Sequence, residues 1–161
     1  MKYIEVKTED DKDILENLVQ EIWPETYLDI IGKEKVDYMM ENFQTRRNID
    51  EEMDSGVTYF LLEDAGQILG YFAYQFDEDQ LYIRKLYLSK EARGRGYASK
   101  IFRDLEGIAR EHGKEYLFLH VNAGNKRAFE IYKSRGFEVI ADVDAPFGDI
   151  HLNDYHMKKA L

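Results

Sequence analysis

Between Leu81 and Val121 the chain reads as strand, glycine turn, helix and strand, and that order leaves few folds open. Leu81–Leu88 has the composition of a strand. Arg93-Gly94-Arg95-Gly96-Tyr97-Ala98-Ser99 follows it and opens a helix whose apolar stripe is Ile101, Phe102, Leu105, Ile108 and Ala109. Gly113 stops that helix just past His112, and Tyr116–Val121 is an apolar strand. Two strands joined through one helix lie parallel and cross over right-handed. Upstream the pattern is different. Val57–Glu63, Gln67–Phe76 and Leu81–Leu88 are separated only by the turns Asp64-Ala65-Gly66 and Asp77-Glu78-Asp79, which is the pattern of an antiparallel meander. The sheet is therefore mixed, antiparallel early and parallel in the middle.

Helices and short strands complete the chain. Tyr3–Lys7 reads as a strand. Thr8 caps a helix with Glu9, Asp10 and Asp11 in its first turn and Ile14, Leu15, Leu18, Val19 and Ile22 on its apolar face. Pro24 is expected to end or bend that helix. A second helical pattern runs through Val36, Met39, Met40 and Phe43, while Thr45–Gly56 fits either a short helix or a loop. Asn125–Arg135 reads as a helix closed by Gly136, Phe137–Ala141 as a strand, and a last strand falls within Ile150–Lys159. No repeat or linker divides residues 1–161, so one α/β domain is expected.

Composition removes several functions. Lys plus Arg is 22 against 32 Asp plus Glu, a net charge of −10, which opposes nonspecific nucleic-acid binding and docking on anionic lipid. The chain has no Cys, so disulfides, thiolate metal sites and cysteine nucleophiles are excluded. Its four His have no ligand spacing, and no metal is expected. Apolar runs stay far below the roughly 18 residues of a membrane span, and Met1–Val6 lacks a signal-peptide core. A soluble, cytoplasmic protein is the expectation.

Two segments carry chemistry. In Arg93–Ser99 the glycines permit positive φ, and the amides opening the next helix converge on one point. That suits a pyrophosphate, with Arg93 and Arg95 as further donors. A Gly-x-Gly turn can equally be only a tight connection. The string lacks the G-x-x-x-x-G-K-[ST] of a Walker loop, and no acid follows at the offset a dinucleotide fingerprint needs. The second segment is Asn122-x-x-Asn125-x-x-Ala128-x-x-x-Tyr132-x-x-x-Gly136-Phe137. Asn125 and Tyr132 are seven residues apart and share a helix face. Read singly, Asn125 could be an N-cap and Tyr132 a core residue.

Together, Arg93-x-x-Gly96-x-Ala98 and the Asn122–Phe137 cluster resemble the Gcn5-related N-acetyltransferase family, whose acetyl-CoA signature is [Q/R]-x-x-G-x-[G/A]. The element order of the whole chain is similar to the family's. The resemblance implies a central mixed sheet flanked by helices, splayed between its parallel central strands, with acetyl-CoA as the donor. It implies that Leu86, Tyr87 and Leu88 pair with the pantetheine arm like an added strand. Amides of Gly94, Arg95, Gly96, Tyr97, Ala98 and Ser99 would hold the pyrophosphate, beside Arg93. Asn125 would bond the cofactor arm, the Leu86 N–H would polarise the thioester oxygen, and Tyr132 would be the general acid for the departing thiolate. With no Cys, transfer to the amine is direct.

The match weakens at the base. Many members carry Glu where this chain has Arg84, and a guanidinium cannot accept a proton. His120, Tyr82, Glu63 or a water chain remain. The acceptor pocket is expected from Glu21–Tyr27 and Asp149–Met157, whose aromatics and acids could wrap an aliphatic cation. The layout is similar to bacterial polyamine acetyltransferases, so a polyamine-like small amine is favoured. A protein or peptide amine and a non-catalytic CoA-binding sensor are the alternatives. The resemblance also allows a homodimer.

Overall fold

A computed structural model describes all 161 residues. The strands are β1 (Lys2–Glu5), β2 (Thr58–Asp64), β3 (Gln67–Asp77), β4 (Gln80–Leu88), β5 (Tyr116–Asn122), β6 (Glu138–Phe147) and β7 (Ile150–Ala160). The helices are α1 (Glu9–Ile31), α2 (Lys33–Asn42), α3 (Arg46–Asp54), α4 (Tyr97–Glu111) and α5 (Lys126–Ser134). The strands form one seven-stranded sheet in the order β1-β2-β3-β4-β5-β7-β6. It is the mixed α/β sheet expected, with β4 parallel to β5 and its other registered pairs antiparallel. The chain resolves into two compact units, Met1–Gln75 with Arg84–Arg103, and Phe76–Ile83 with Asp104–Leu161.

In the first unit β2 and β3 pair with Phe60 opposite Phe72 and Leu61 opposite Tyr71. Side chains alternate across a strand, so Tyr59, Leu61, Tyr71 and Ala73 share one face and Phe60, Phe72 and Tyr74 stack on the other. Two capping boxes start helices on this unit. Thr8 Oγ1 accepts from Asp11 N–H, whose carboxylate accepts from Thr8 N–H, and Thr45 and Asn48 repeat the arrangement. The second box resolves Thr45–Gly56 as helical. Of the two expected effects of Pro24, it does not end α1, which runs on to Ile31; Ile22 and Trp23 are buried and hold the helix across the missing bond.

In the second unit β4 pairs with β5 from Gln80 opposite Tyr116 to Ile83 opposite Leu119. Leu81, Ile83, Leu117, Leu119 and Met157 are buried with Leu105 and Ala109 of α4. β6 runs well past the expected Ala141, because Ala141, Val143 and Ala145 alternate with Asp142 and Asp144 and pair with β7 throughout.

Candidate active site

The glycine turn lies wholly in the first unit. β4 ends at Leu88, a 3-10 turn covers Lys90–Ala92, and α4 begins at Tyr97. Gly94 and Gly96 have φ of +74° and +86°, and a Cβ on either would meet open space. Backbone is therefore exposed where α4 presents N–H groups that have no partner within the helix, and these residues fit a pyrophosphate. Tyr97 Oη donates to Asp64 Oδ2 at 2.5 Å and fixes the helix start to β2. The arginines differ in role. Arg93 is a strut, with Nε donating to Leu88 O at 3.2 Å and Nη2 lying 3.4 Å from Glu25 Oε1. Arg95 is exposed, its guanidinium 5.2 Å from the Tyr97 ring centroid.

A charged cluster that sequence reasoning missed lies in the same unit. Glu52 of α3 accepts from Tyr59 Oη at 3.1 Å on one oxygen, and its other oxygen lies 3.4 Å from Arg84 Nη2 and 3.9 Å from Lys85 Nζ. Adjacent strand residues ordinarily face opposite ways, yet Arg84 and Lys85 both reach this carboxylate. Arg84 also donates to Gln75 at 3.2 Å, and Lys85 to buried Gln44 at 3.4 Å. Burial pulls the Lys85 amine below its usual range, against the pull of Glu52. Tyr71 Oη nearby is buried without a hydrogen-bond partner. Of the expected acceptor segment, Trp23 is buried and packs on Tyr27, whose hydroxyl is 2.8 Å from that of Tyr87. The Trp23 ring is thus core rather than a free wall.

The second unit carries the other segment. Asn125 is the N-cap of α5, its Oδ1 accepting from Ala128 N–H at 3.3 Å, so the cap and the expected cofactor contact are not exclusive: the cap occupies the oxygen. Asn122 Oδ1 accepts from Gly124 N–H at 2.8 Å. Tyr132 sits two turns into α5, its ring centroid 6.0 Å from that of buried Phe137, and burial pushes its hydroxyl up to about 12. His120 is an exposed strand residue, 3.2 Å from Tyr82 Oη and stacked on His156. Asp154 on β7 is a buried carboxyl that burial raises to about 6. No three His, Asp or Glu are grouped to hold a metal ion.

The model of the Acetyltransferase (GNAT) family matches residues 15–137, which include both segments. The chain belongs to that family. This GNAT protein is 28% identical over 150 residues to an uncharacterised N-acetyltransferase of Lactobacillus delbrueckii subsp. lactis, covering 85% of this chain and 87% of the relative. Its fold matches the PaiA N-acetyltransferase of Thermoplasma acidophilum, solved in complex with coenzyme A, at a TM-score of 0.80 and 18% identity over 100% of both chains. It also matches a chimera of the spermidine N-acetyltransferase SpeG from Vibrio cholerae and hSSAT at 0.69 and 15% identity, over 99% and 96% of the two chains. The chain is accordingly an acetyl-CoA-dependent N-acetyltransferase of the GNAT family.

Proposed function

We propose that residues 1–161 act as one cytoplasmic transferase domain that moves an acetyl group to the primary amine of a small molecule, polyamine-like in preference. The observation that carries the reading is the open backbone at Gly94 and Gly96, delivered straight into the start of α4. Acetyl-CoA supplies the activated acetyl group as a thioester. The amides of Gly94–Ser99 hold its pyrophosphate, and the backbone of Leu86, Tyr87 and Leu88 pairs with the pantetheine arm. The Leu86 N–H is the donor for the thioester oxygen. The Asn125 amide nitrogen remains for the cofactor arm while its oxygen caps α5. Tyr132, a phenol held protonated by burial, gives its proton to the leaving sulfur.

Three features support a small cationic acceptor. The net charge of −10 draws cations by long-range attraction. The second unit has a buried carboxyl with no cation on it. A spermidine N-acetyltransferase shares the fold. Neither nucleic acid nor membrane is a partner in this reading. Release of free thiol from acetyl-CoA across polyamines, amino acids, aminoglycosides and short peptides tests it. Turnover with one amine class, confirmed by product mass, supports it. Coenzyme A binding without turnover on any amine would favour a CoA-binding sensor, and turnover on peptides alone would favour a protein acceptor.

A further inference from the structure

We propose that Asp64, the last residue of β2, is a positioning residue of the cofactor site: its carboxylate holds the Tyr97 ring, and with it the Gly94–Ser99 amides and the Arg95 guanidinium, in place for the pyrophosphate of acetyl-CoA. The inference rests on the reading above that this turn holds the pyrophosphate. Asp64, Arg95 and Tyr97 all lie in the first unit.

Both ends of the tie are set by backbone. Asp64 pairs with Gln67 across the β2–β3 hairpin, whose turn residues Ala65 and Gly66 have φ of +51° and +78°. Left-handed backbone at both positions gives a tight turn whose twist matches the strands, and Ala65 is the one non-glycine residue of the chain with positive φ. The hairpin thus keeps a conformation that alanine disfavours, directly beside Asp64. Tyr97, 33 residues further on, follows Gly96 and opens α4. Asp64 Oδ2 accepts from Tyr97 Oη at 2.5 Å, and Asp64 Oδ1 lies 3.4 Å from the Met1 ammonium. The Tyr97 hydroxyl is the main cause that holds this carboxyl below its usual range.

Of residues 94–99 only Tyr97 is buried, and a Cβ on Gly94 or Gly96 would meet nothing within 4 Å. Packing therefore anchors the turn at the Tyr97 ring, and Asp64 fixes that ring by its hydroxyl. Arg95 rests on the same ring, its guanidinium 5.2 Å from the centroid and its Nη1 donating to Glu91 O at 3.4 Å. A guanidinium already held in place loses less freedom on meeting a phosphate. Arg93 is committed instead to Leu88 O and Glu25.

The sign of the effect separates positioning from charge. A carboxylate acting only as an anion near the turn would repel a pyrophosphate, and its removal would tighten binding. A carboxylate acting through Tyr97 does the reverse. Its removal frees the ring, and binding weakens.

The test measures coenzyme A affinity by calorimetry for the native protein, Asp64→Asn, Tyr97→Phe and the double variant, with far-UV dichroism to establish folding. Each single variant is expected to bind about tenfold more weakly, as for one lost hydrogen bond to a charged group. The double variant should also lose about tenfold rather than about 100-fold, because both changes cut one contact. Tyr97→Phe leaves the Met1 contact in place and decides the question if Asp64→Asn does not fold. With the panel amine that turns over fastest, the loss in Asp64→Asn should appear in KM for acetyl-CoA rather than in kcat. It should vanish with S-acetylpantetheine as donor, which has no pyrophosphate. Native or tighter coenzyme A affinity in the variants, losses that add, or an equal loss with S-acetylpantetheine overturns the positioning role and leaves the transferase reading standing. A native protein that does not bind coenzyme A overturns the cofactor reading, and this proposal with it.

Discussion

A Cβ added to Gly70 would collide with the carbonyl oxygen of Tyr87 and come within 3.1 Å of Leu88 Cα. β3 thus carries a glycine where β4 presents the Leu86–Leu88 backbone, and the closest partner in the clash is main chain. Gly70→Val must push that backbone aside. Coenzyme A affinity by calorimetry is expected to fall at least tenfold, with far-UV dichroism retained. Native affinity would show that this strand does not hold the cofactor arm.

Gly96 tests the other half of the cofactor site. A side chain there meets open space, so the penalty is conformational: φ is +86°, and holding Val in such a region costs about 1–3 kcal/mol. The chain would relax out of the turn and displace the amides that begin α4. Gly96→Val should abolish measurable coenzyme A binding while the melting temperature falls only modestly.

Tyr132→Phe keeps the half-buried ring and removes the hydroxyl proton. Turnover should drop by about 10²–10⁴-fold with coenzyme A affinity intact. Because burial raises this hydroxyl to about 12, it stays protonated well past the ordinary tyrosine range. The native pH–rate profile should hence show no tyrosine limb up to pH 10.5. A loss of activity centred on 10 would assign the proton to a more exposed phenol.

Glu52→Gln removes the anion shared by Arg84 and Lys85. The half-buried cations then repel, and melting should fall by roughly 2–4 °C. Adding Arg84→Gln should recover part of that loss, because the excess charge goes with it. Equal loss in the double variant would mean the contacts are independent.

Legibility in the sequence followed distance along the chain. The turn that holds Gly94 and Gly96 and the helix that holds Asn125 and Tyr132 were readable because each is a local element, where spacing decides geometry. Glu52 and Arg84 are 32 residues apart, and only the packing of α3 brings them together. The continuous helix across Pro24 was hidden for a similar reason: buried Ile22 and Trp23 override a local signal. Asp154 stands in a strand that alternates polar residues, where nothing separates a buried acid from a solvated one.

α3 buries only Ile49, and its fastening to α1 is largely charge: Arg46 meets Glu9, Asp13 and Glu16, and Lys12 meets Asp50. Such contacts weaken with salt, whereas apolar burial does not. This nine-residue helix will open and reclose far more often than the sheet behind it, and amide exchange in α3 will quicken as ionic strength rises. Glu52 rides on that helix, so the ionic strength of the surroundings sets how long Arg84 and Lys85 keep their counter-ion.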